Sequence, residues 1–252
     1  GDTSRPSAYY SAGSGAETAF LAMRRWKSEL DLEPALRVGI IGLGTGSLAS
    51  YHSNDDRFRF YEINPLAVQA AQEFFTYLSQ SQADVVLGDG RILLEREALA
   101  GRRNDFDLLF VDAFSSDSIP VHLLTAECFD LYLQHIKPEW ILVMHITNKF
   151  VDLRAVMKSV AEARNLSVAM IEHENPAFGI RTRWVLMSPT KAILADPTVQ
   201  DRQLPWPTDM RPLLWTDENT SLASVVIWSG GLNLSSAGRQ PKETRQPVTN
   251  VR

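Results

Sequence analysis

The chain has one cysteine, Cys128, in 252 residues. An internal disulfide and a cysteine-rich zinc site are therefore excluded. Cys128 falls in a helical pattern and reads as a small buried apolar side chain. Long apolar runs are missing as well. None reaches the roughly 18–20 residues of a membrane-spanning helix, and no signal-peptide pattern opens the chain. Neither sign of charge dominates: a net charge of −5 argues against nucleic acid or an anionic membrane as a partner. His52, His122, His135, His145 and His173 show no metal-ligand spacing such as H-E-x-x-H, so no metal is expected. No G-x-S-x-G elbow or Cys–His pairing argues for hydrolysis. His145 follows a strand end, where it either lines a cleft or is a satisfied structural histidine. Arg181 and Arg183 read as surface charges beside a strand.

What the chain does have is an ordinary apolar fraction, 44%, and one stretch that organises the rest. Arg37–Ile41 is an apolar, β-branched run of the kind found in buried parallel strands. It leads into Gly42, Gly44 and Gly46, whose backbone can turn tightly and approach a ligand closely. A second strand, Phe58–Tyr61, ends at Glu62, placed to accept hydrogen bonds from the hydroxyls of a ribose. Strand, glycine turn, strand and acid together imply a nucleoside cofactor. The dinucleotide fingerprint G-x-G-x-x-G would need a glycine at Ser47, which makes NAD the weakest candidate.

Around this stretch the periodicity predicts regular β/α alternation. Helices are expected over Ala16–Leu30, from Asn64-Pro65 through Leu78, over Thr125–Ile136 and near Leu153–Arg164. Further strands are expected at Val85–Leu87, Asp107–Val111, Ile141–Ile146, Ser167–Ile171 and Trp184–Ser188. Leu204–Pro212 is proline-rich, and Ser221–Trp228 suits a last short helix or strand. Residues 1–15 are a polar segment with an aromatic pair, Tyr9-Tyr10. Residues 229–252 are rich in Gly, Ser, Gln, Pro and charge, the composition of a disordered tail.

Glu62, Asp89 and Asp112 fall at the carboxyl ends of successive strands, the edge where open parallel sheets bind ligands. Capping the next helix is the competing role for each. Glu62 suits the ribose; Asp89 suits an adenine amine, with the Gly90 N–H beside it. Asp112 points toward the cofactor's reacting group, and Asp117 adds a second carboxylate. Trp215 and Asp217 suit a second wall for an alkylammonium ion, although Trp215 also reads as a buried core residue.

With GLGTG, YEIN, GDG and VDAFSSDSIP, the chain resembles the spermidine synthase (polyamine aminopropyltransferase) family. It is most similar to the branch in which that domain follows a transporter-like membrane region. The segments RPSAYYSAGSG, HITNKFVDL and LLWTDENTSL also resemble that branch. The resemblance covers about Tyr9 to Trp228 and implies an α/β fold: a class I SAM-methyltransferase-like (Rossmann-like), doubly wound, mostly parallel sheet. Residues 1–15 would contribute to the site, and 16–228 would be the nucleoside-binding catalytic domain.

The resemblance also implies a reaction, aminopropyl transfer from decarboxylated S-adenosylmethionine (SAM) to a polyamine such as putrescine. Asp112, Asp117 and Tyr10 would be catalytic. Gly42, Gly44, Gly46, Glu62, Asn64, Asp89 and Gly90 would hold the cofactor; Tyr9, Asp117, Trp215 and Asp217 would hold the acceptor. A cytoplasmic location is implied, alone or as the cytoplasmic part of a membrane protein, and a homodimer is compatible with it. Three departures leave the acceptor open. The loop lacks the family's D-x-[ST]-D-P-x-G-P, Asn64 stands where Asp is common, and the family's amino-terminal β-hairpin domain has no counterpart here. SAM-dependent methyl transfer and non-catalytic sensing of a nucleoside or polyamine therefore remain as alternatives.

Overall fold

Apolar side chains alternate between the two faces of each central strand, so the sheet must be covered on both sides. In the computed structural model, which describes residues 8–53, 55–113 and 120–227, eight strands form one sheet. They are β1 (Arg37–Ile41), β2 (Arg57–Glu62), β3 (Asp84–Leu87), β4 (Phe106–Val111), β5 (Ile136–His145), β6 (Ser167–Asn175), β7 (Ile180–Ser188) and β8 (Gln203–Leu204). Their order is β3-β2-β1-β4-β5-β7-β6-β8. Strands β1 to β5 pair in parallel, whereas β7, β6 and β8 join antiparallel.

Val38, Ile40, Leu108, Phe110, Ile141 and Val143 form one face. That face is covered by Phe20 and Met23 of α1 (Gly15–Glu29), Ala71 of α2 (Pro65–Phe74) and Leu78 of α3 (Tyr77–Ser81). Ile193 of α7 (Lys191–Leu194) and Val199 of α8 (Pro197–Arg202) complete the cover. On the other face Ile41, Leu109, Val111, Leu142 and Met144 meet α4 (Gly90–Leu99), α5 (Ala126–Gln134) and α6 (Arg154–Ala163). Their inward residues are Leu94, Phe129 and Val156. Helices on both faces of a mostly parallel sheet make the fold doubly wound.

Local chemistry explains the helix starts. Ser14 accepts from the Glu17 N–H while Glu17 accepts from the Gly13 N–H, a close variant of the capping box. Asn64 caps α2 with Pro65 at the first helical position, where its missing N–H costs nothing.

The helix expected to run from Asn64-Pro65 through Leu78 is two helices. Phe75 is extended (φ −131°, ψ 148°), which lets its ring stack on Tyr77 at 5.9 Å and turns Tyr77 and Leu78 into the core. Helix α4 was not evident from periodicity because its inner face is partly polar. Leu94 is buried beside Glu97, which bonds Tyr61, Arg59 and Asn104. The Ser221–Trp228 stretch holds a 3-10 turn, Leu222–Ser224, and a bridge from Val226 to Val151. Residues 1–7 and the 229–252 tail lie outside the described residues. Among those described, no helix is long and apolar enough to cross a membrane.

At the sheet edge opposite the glycine turn, Asp107 is 3% exposed. It accepts from Lys27 at 3.3 Å, Lys137 at 2.8 Å and the Arg37 N–H at 2.8 Å. Removing the carboxylate would strand the Lys27 ammonium in the interior. Asp107→Ala should therefore lower stability by about 3–5 kcal/mol, read from urea unfolding. An unchanged midpoint would mean that the Ala35 carbonyl, which accepts from Lys27 at 2.6 Å, satisfies the ammonium without Asp107.

Candidate active site

The carboxyl ends of four strands finish level. Ile41 pairs with Tyr61 on one side and Val111 on the other, and Glu62 pairs with Leu87. Gly42, Glu62, Asp89 and Asp112 follow at one edge, where strand order reverses between β1 and β4. Together they border a cavity of about 590 Å³, a size suited to a small-molecule ligand. Of the residues singled out from the sequence, Tyr9, Tyr10, Gly42, Gly44, Glu62, Asp89, Gly90 and Asp112 line it.

The floor is backbone. Gly42 has φ +98°, and a Cβ there would lie 2.3 Å from the Asp112 carbonyl oxygen, so only glycine lets the two strand ends pass. Gly44 differs: an added Cβ would meet nothing nearer than the Tyr10 hydroxyl at 4.0 Å. Its bare side faces the cavity, leaving room for a ligand against the main chain. Glu62 is held by the Leu43 N–H at 2.8 Å and the Asn64 N–H at 2.7 Å, one on each oxygen. Each oxygen retains a second acceptor position. A vicinal diol fits that arrangement.

Asp89 does two jobs. One oxygen caps α4 through the Ile92 N–H at 3.1 Å, and the other meets His122 at 3.0 Å.

Asp112 follows the last residue of β4, its side chain 8% exposed. Tyr10 donates its phenol proton to one oxygen at 2.6 Å, and His145 Nδ1 lies 2.6 Å from the other. Burial, and then the Asp112 carboxylate, push the Tyr10 phenol well above the usual tyrosine range. Tyr10 thus stays a donor. His145 enters because Met144 pairs with Val111, which sets the next residues of β5 and β4 side by side. Its ring stacks on Trp184 at 4.2 Å and 11°, and its Nε2 lies 2.7 Å from Thr147 Oγ1. Of the two roles open to this histidine from sequence, both hold: it is satisfied, and it lines the cavity. Tyr51 anchors the aromatic pair by donating to the Tyr10 carbonyl at 2.5 Å, and Asn175 donates to Ser11 at 3.0 Å.

No protein-family model matches the chain. Over 121 residues it is 34% identical to polyamine aminopropyltransferase of Vibrio vulnificus (strain CMCP6), covering 46% of this chain and 40% of that protein. Over 138 residues it is 27% identical to the eEF1A lysine and N-terminal methyltransferase of Bos taurus, covering 50% of this chain and 19% of that protein. The chain thus spans less than half the length of the curated relatives it matches. It superposes on human methyltransferase-like protein 13 in complex with SAH with a TM-score of 0.56 at 21% identity, over 76% of this chain and 93% of that one. The fold is class I SAM-methyltransferase-like.

Within this SAM-type fold several expected site residues serve other ends. Trp215 is 1% exposed and packs in the core under α5 and α6. Asp217 pairs with Arg91 at 2.8 and 2.6 Å and accepts from Thr125 at 2.7 Å. Neither lines the cavity, because Arg91 draws this segment onto the outer side of α4. Asn64 is likewise outside it, its side chain spent on the α2 cap. Gly46 takes a left-handed conformation at the start of a 3-10 turn and packs on Leu78. Asp117 lies outside the described residues. Conversely, Ile63, His122, Thr147, Lys149 and Phe150 border the cavity unannounced. Position at strand ends is the one signal that could have marked Ile63 and Thr147.

Arg91, then Thr125, hold the Asp217 carboxyl down at about 2. A depressed folded value means that the pair stabilises above the unfolded value of about 3.9 and is lost as pH falls through about 2. Because the Asp217 side chain is 41% exposed, the contribution is small and screened by salt. A carbon-13 NMR titration should find the Asp217 midpoint near 2, and Arg91→Ala should return it toward about 3.9.

Proposed function

We propose that the chain transfers an aminopropyl group from decarboxylated SAM to a polyamine such as putrescine. One observation carries this reading: Asp112, gripped by Tyr10 and His145, opens into the same cavity as Glu62. A ribose on Glu62 would leave the sulfur end of the nucleoside toward Asp112. The similarity to the Vibrio aminopropyltransferase supports the same reading.

The chain's own residues divide the work. Gly42 and Gly44 give close backbone approach, Glu62 receives the ribose hydroxyls, and Asp89 with the Gly90 N–H receives the adenine edge. The donor's sulfonium makes its neighbouring carbon open to attack and departs as a neutral thioether. An alkylammonium has a pKa of about 10, so it arrives protonated and must shed a proton before its nitrogen can form the new C–N bond. Asp112 binds that ammonium, with Tyr10 fixing one carboxylate oxygen and Tyr9 bordering the same space. Positioning supplies most of the remaining rate. On this reading the chain acts in the cytoplasm, as a monomer, a homodimer or a domain behind a membrane region outside this sequence.

SAM-dependent methyl transfer is the second reading. The bovine methyltransferase match favours it, and the residues that would hold adenosine are common to both. Incubating the chain with either donor and candidate amines, followed by mass spectrometry, separates a gain of aminopropyl from a gain of methyl. Asp112→Asn should lower kcat by about 10²–10⁴-fold, while calorimetric affinity for methylthioadenosine stays within about twofold. Turnover unchanged in that variant would remove Asp112 from the chemistry; binding without any wild-type turnover would make the chain a sensor. Glu62→Gln should weaken methylthioadenosine about tenfold or more, the cost of hydrogen bonds lost from a charged acceptor.

A further inference from the structure

We infer that Thr147, His145 and Asp112 form a proton relay, with His145 as the final acceptor of the proton shed by the attacking amine. This deepens the transfer reading above and rests on it.

Donor and acceptor capacities set the direction of each hydrogen bond in the relay. An ionised carboxylate only accepts, so the 2.6 Å contact to Asp112 requires the hydrogen to sit on His145 Nδ1. In the neutral ring Nε2 is then an acceptor. The group 2.7 Å from it is the Thr147 hydroxyl, which is itself an acceptor for the Arg183 N–H at 2.7 Å. The hydroxyl hydrogen therefore points at Nε2, and one lone pair of Thr147 Oγ1 remains, on a residue that lines the cavity. An amine N–H placed there completes the path. The ammonium proton passes to Thr147 Oγ1 and the Thr147 proton passes to His145 Nε2; the freed nitrogen lone pair then bonds carbon as the C–S bond breaks. The resulting imidazolium is paired with Asp112 and stacked on the Trp184 ring, which favours a cation. Thr147 can then turn its hydrogen toward the Arg183 carbonyl, 3.5 Å away.

Among the described residues, other groups also lie around His145. Tyr10 and Tyr9 come from the amino-terminal segment, and burial keeps the Tyr10 phenol protonated. On the far side the Arg183 side chain is paired with Glu172. Lys149 borders the same cavity as a cation. Among the described residues, Asp112 is the carboxylate in contact with the ring.

Two measurements on the full chain test the relay. Nitrogen-15 NMR of the neutral His145 imidazole should show Nδ1 protonated and Nε2 bare; the opposite tautomer overturns the relay whatever the turnover. In the pH–rate profile, His145→Asn keeps an N–H toward Asp112 but holds no proton. It should lose about 10²–10⁴-fold in kcat and lose the acid limb, with methylthioadenosine affinity unchanged within about twofold. Thr147→Val should behave similarly, and Thr147→Ser should restore activity to within a few-fold of wild type. An acid limb retained in His145→Asn, or a Thr147→Val chain as fast as wild type, overturns the relay alone. A wild-type chain that transfers nothing from either donor overturns the transfer reading instead, and the relay as a catalytic device with it.

Discussion

Three backbone hydrogen bonds carry the ladder one step past the strands: Gly42 N–H to the Tyr61 carbonyl, Asp112 N–H to the Ile41 carbonyl and Gly88 N–H to the Glu62 carbonyl, each 2.8 Å long. They hold four strand ends at one height before the chain departs in four directions. A site assembled from such ends inherits the rigidity of the sheet rather than the freedom of its loops. The constraint is tightest at Gly42, where any side chain would drive into the Asp112 carbonyl. The turn that makes room for a ligand therefore also fixes the carboxylate that faces it.

Charge in the cavity is arranged on the same frame. Burying a carboxylate is costly unless donors replace water. Glu62 receives two main-chain N–H groups, and Asp112 receives a phenol and an imidazole. In both, each oxygen takes one protein donor and keeps one acceptor position, so the anion is supported without being used up. Asp107, at the opposite edge, shows the contrast. Two ammonium groups and an N–H engage it, and it serves only to hold α1 and β5 to the sheet.

The sequence announced those parts whose physics is local or periodic. Short apolar, β-branched runs marked the strands, Asn64-Pro65 marked one helix start, and acids after apolar runs marked the edge at which Glu62, Asp89 and Asp112 meet. Three things were hidden. The break at Phe75 goes with burying Tyr77 and Leu78 in the core, not with a helix breaker. Helix α4 carries a polar inner face because Glu97 must meet Arg59 and Tyr61. Trp215 and Asp217 have the composition of an ammonium pocket, but the Arg91 guanidinium competes for the acid and the core for the ring. His145 could be placed at a strand end, yet its partnership with Asp112 required knowing that β5 lies beside β4.

The two halves of the sheet contribute unequally. Strands β1, β2 and β3 present glycine backbone, Glu62 and Asp89 to the cavity, and Asp89 is already engaged as the α4 cap. Asp112, His145 and Thr147, at the ends of β4 and β5, line the cavity with Tyr9 and Tyr10; Tyr51 holds the Tyr10 carbonyl and Asn175 the neighbouring Ser11. On the proposed reading, donor and acceptor would be anchored to different strands, so donor recognition would stay fixed while the acceptor changed. Asp112 sits at their boundary, on the strand that pairs with β1 on one side and β5 on the other. On the proposed reading, both the nucleoside contacts and the proton transfer depend on where this carboxylate is held.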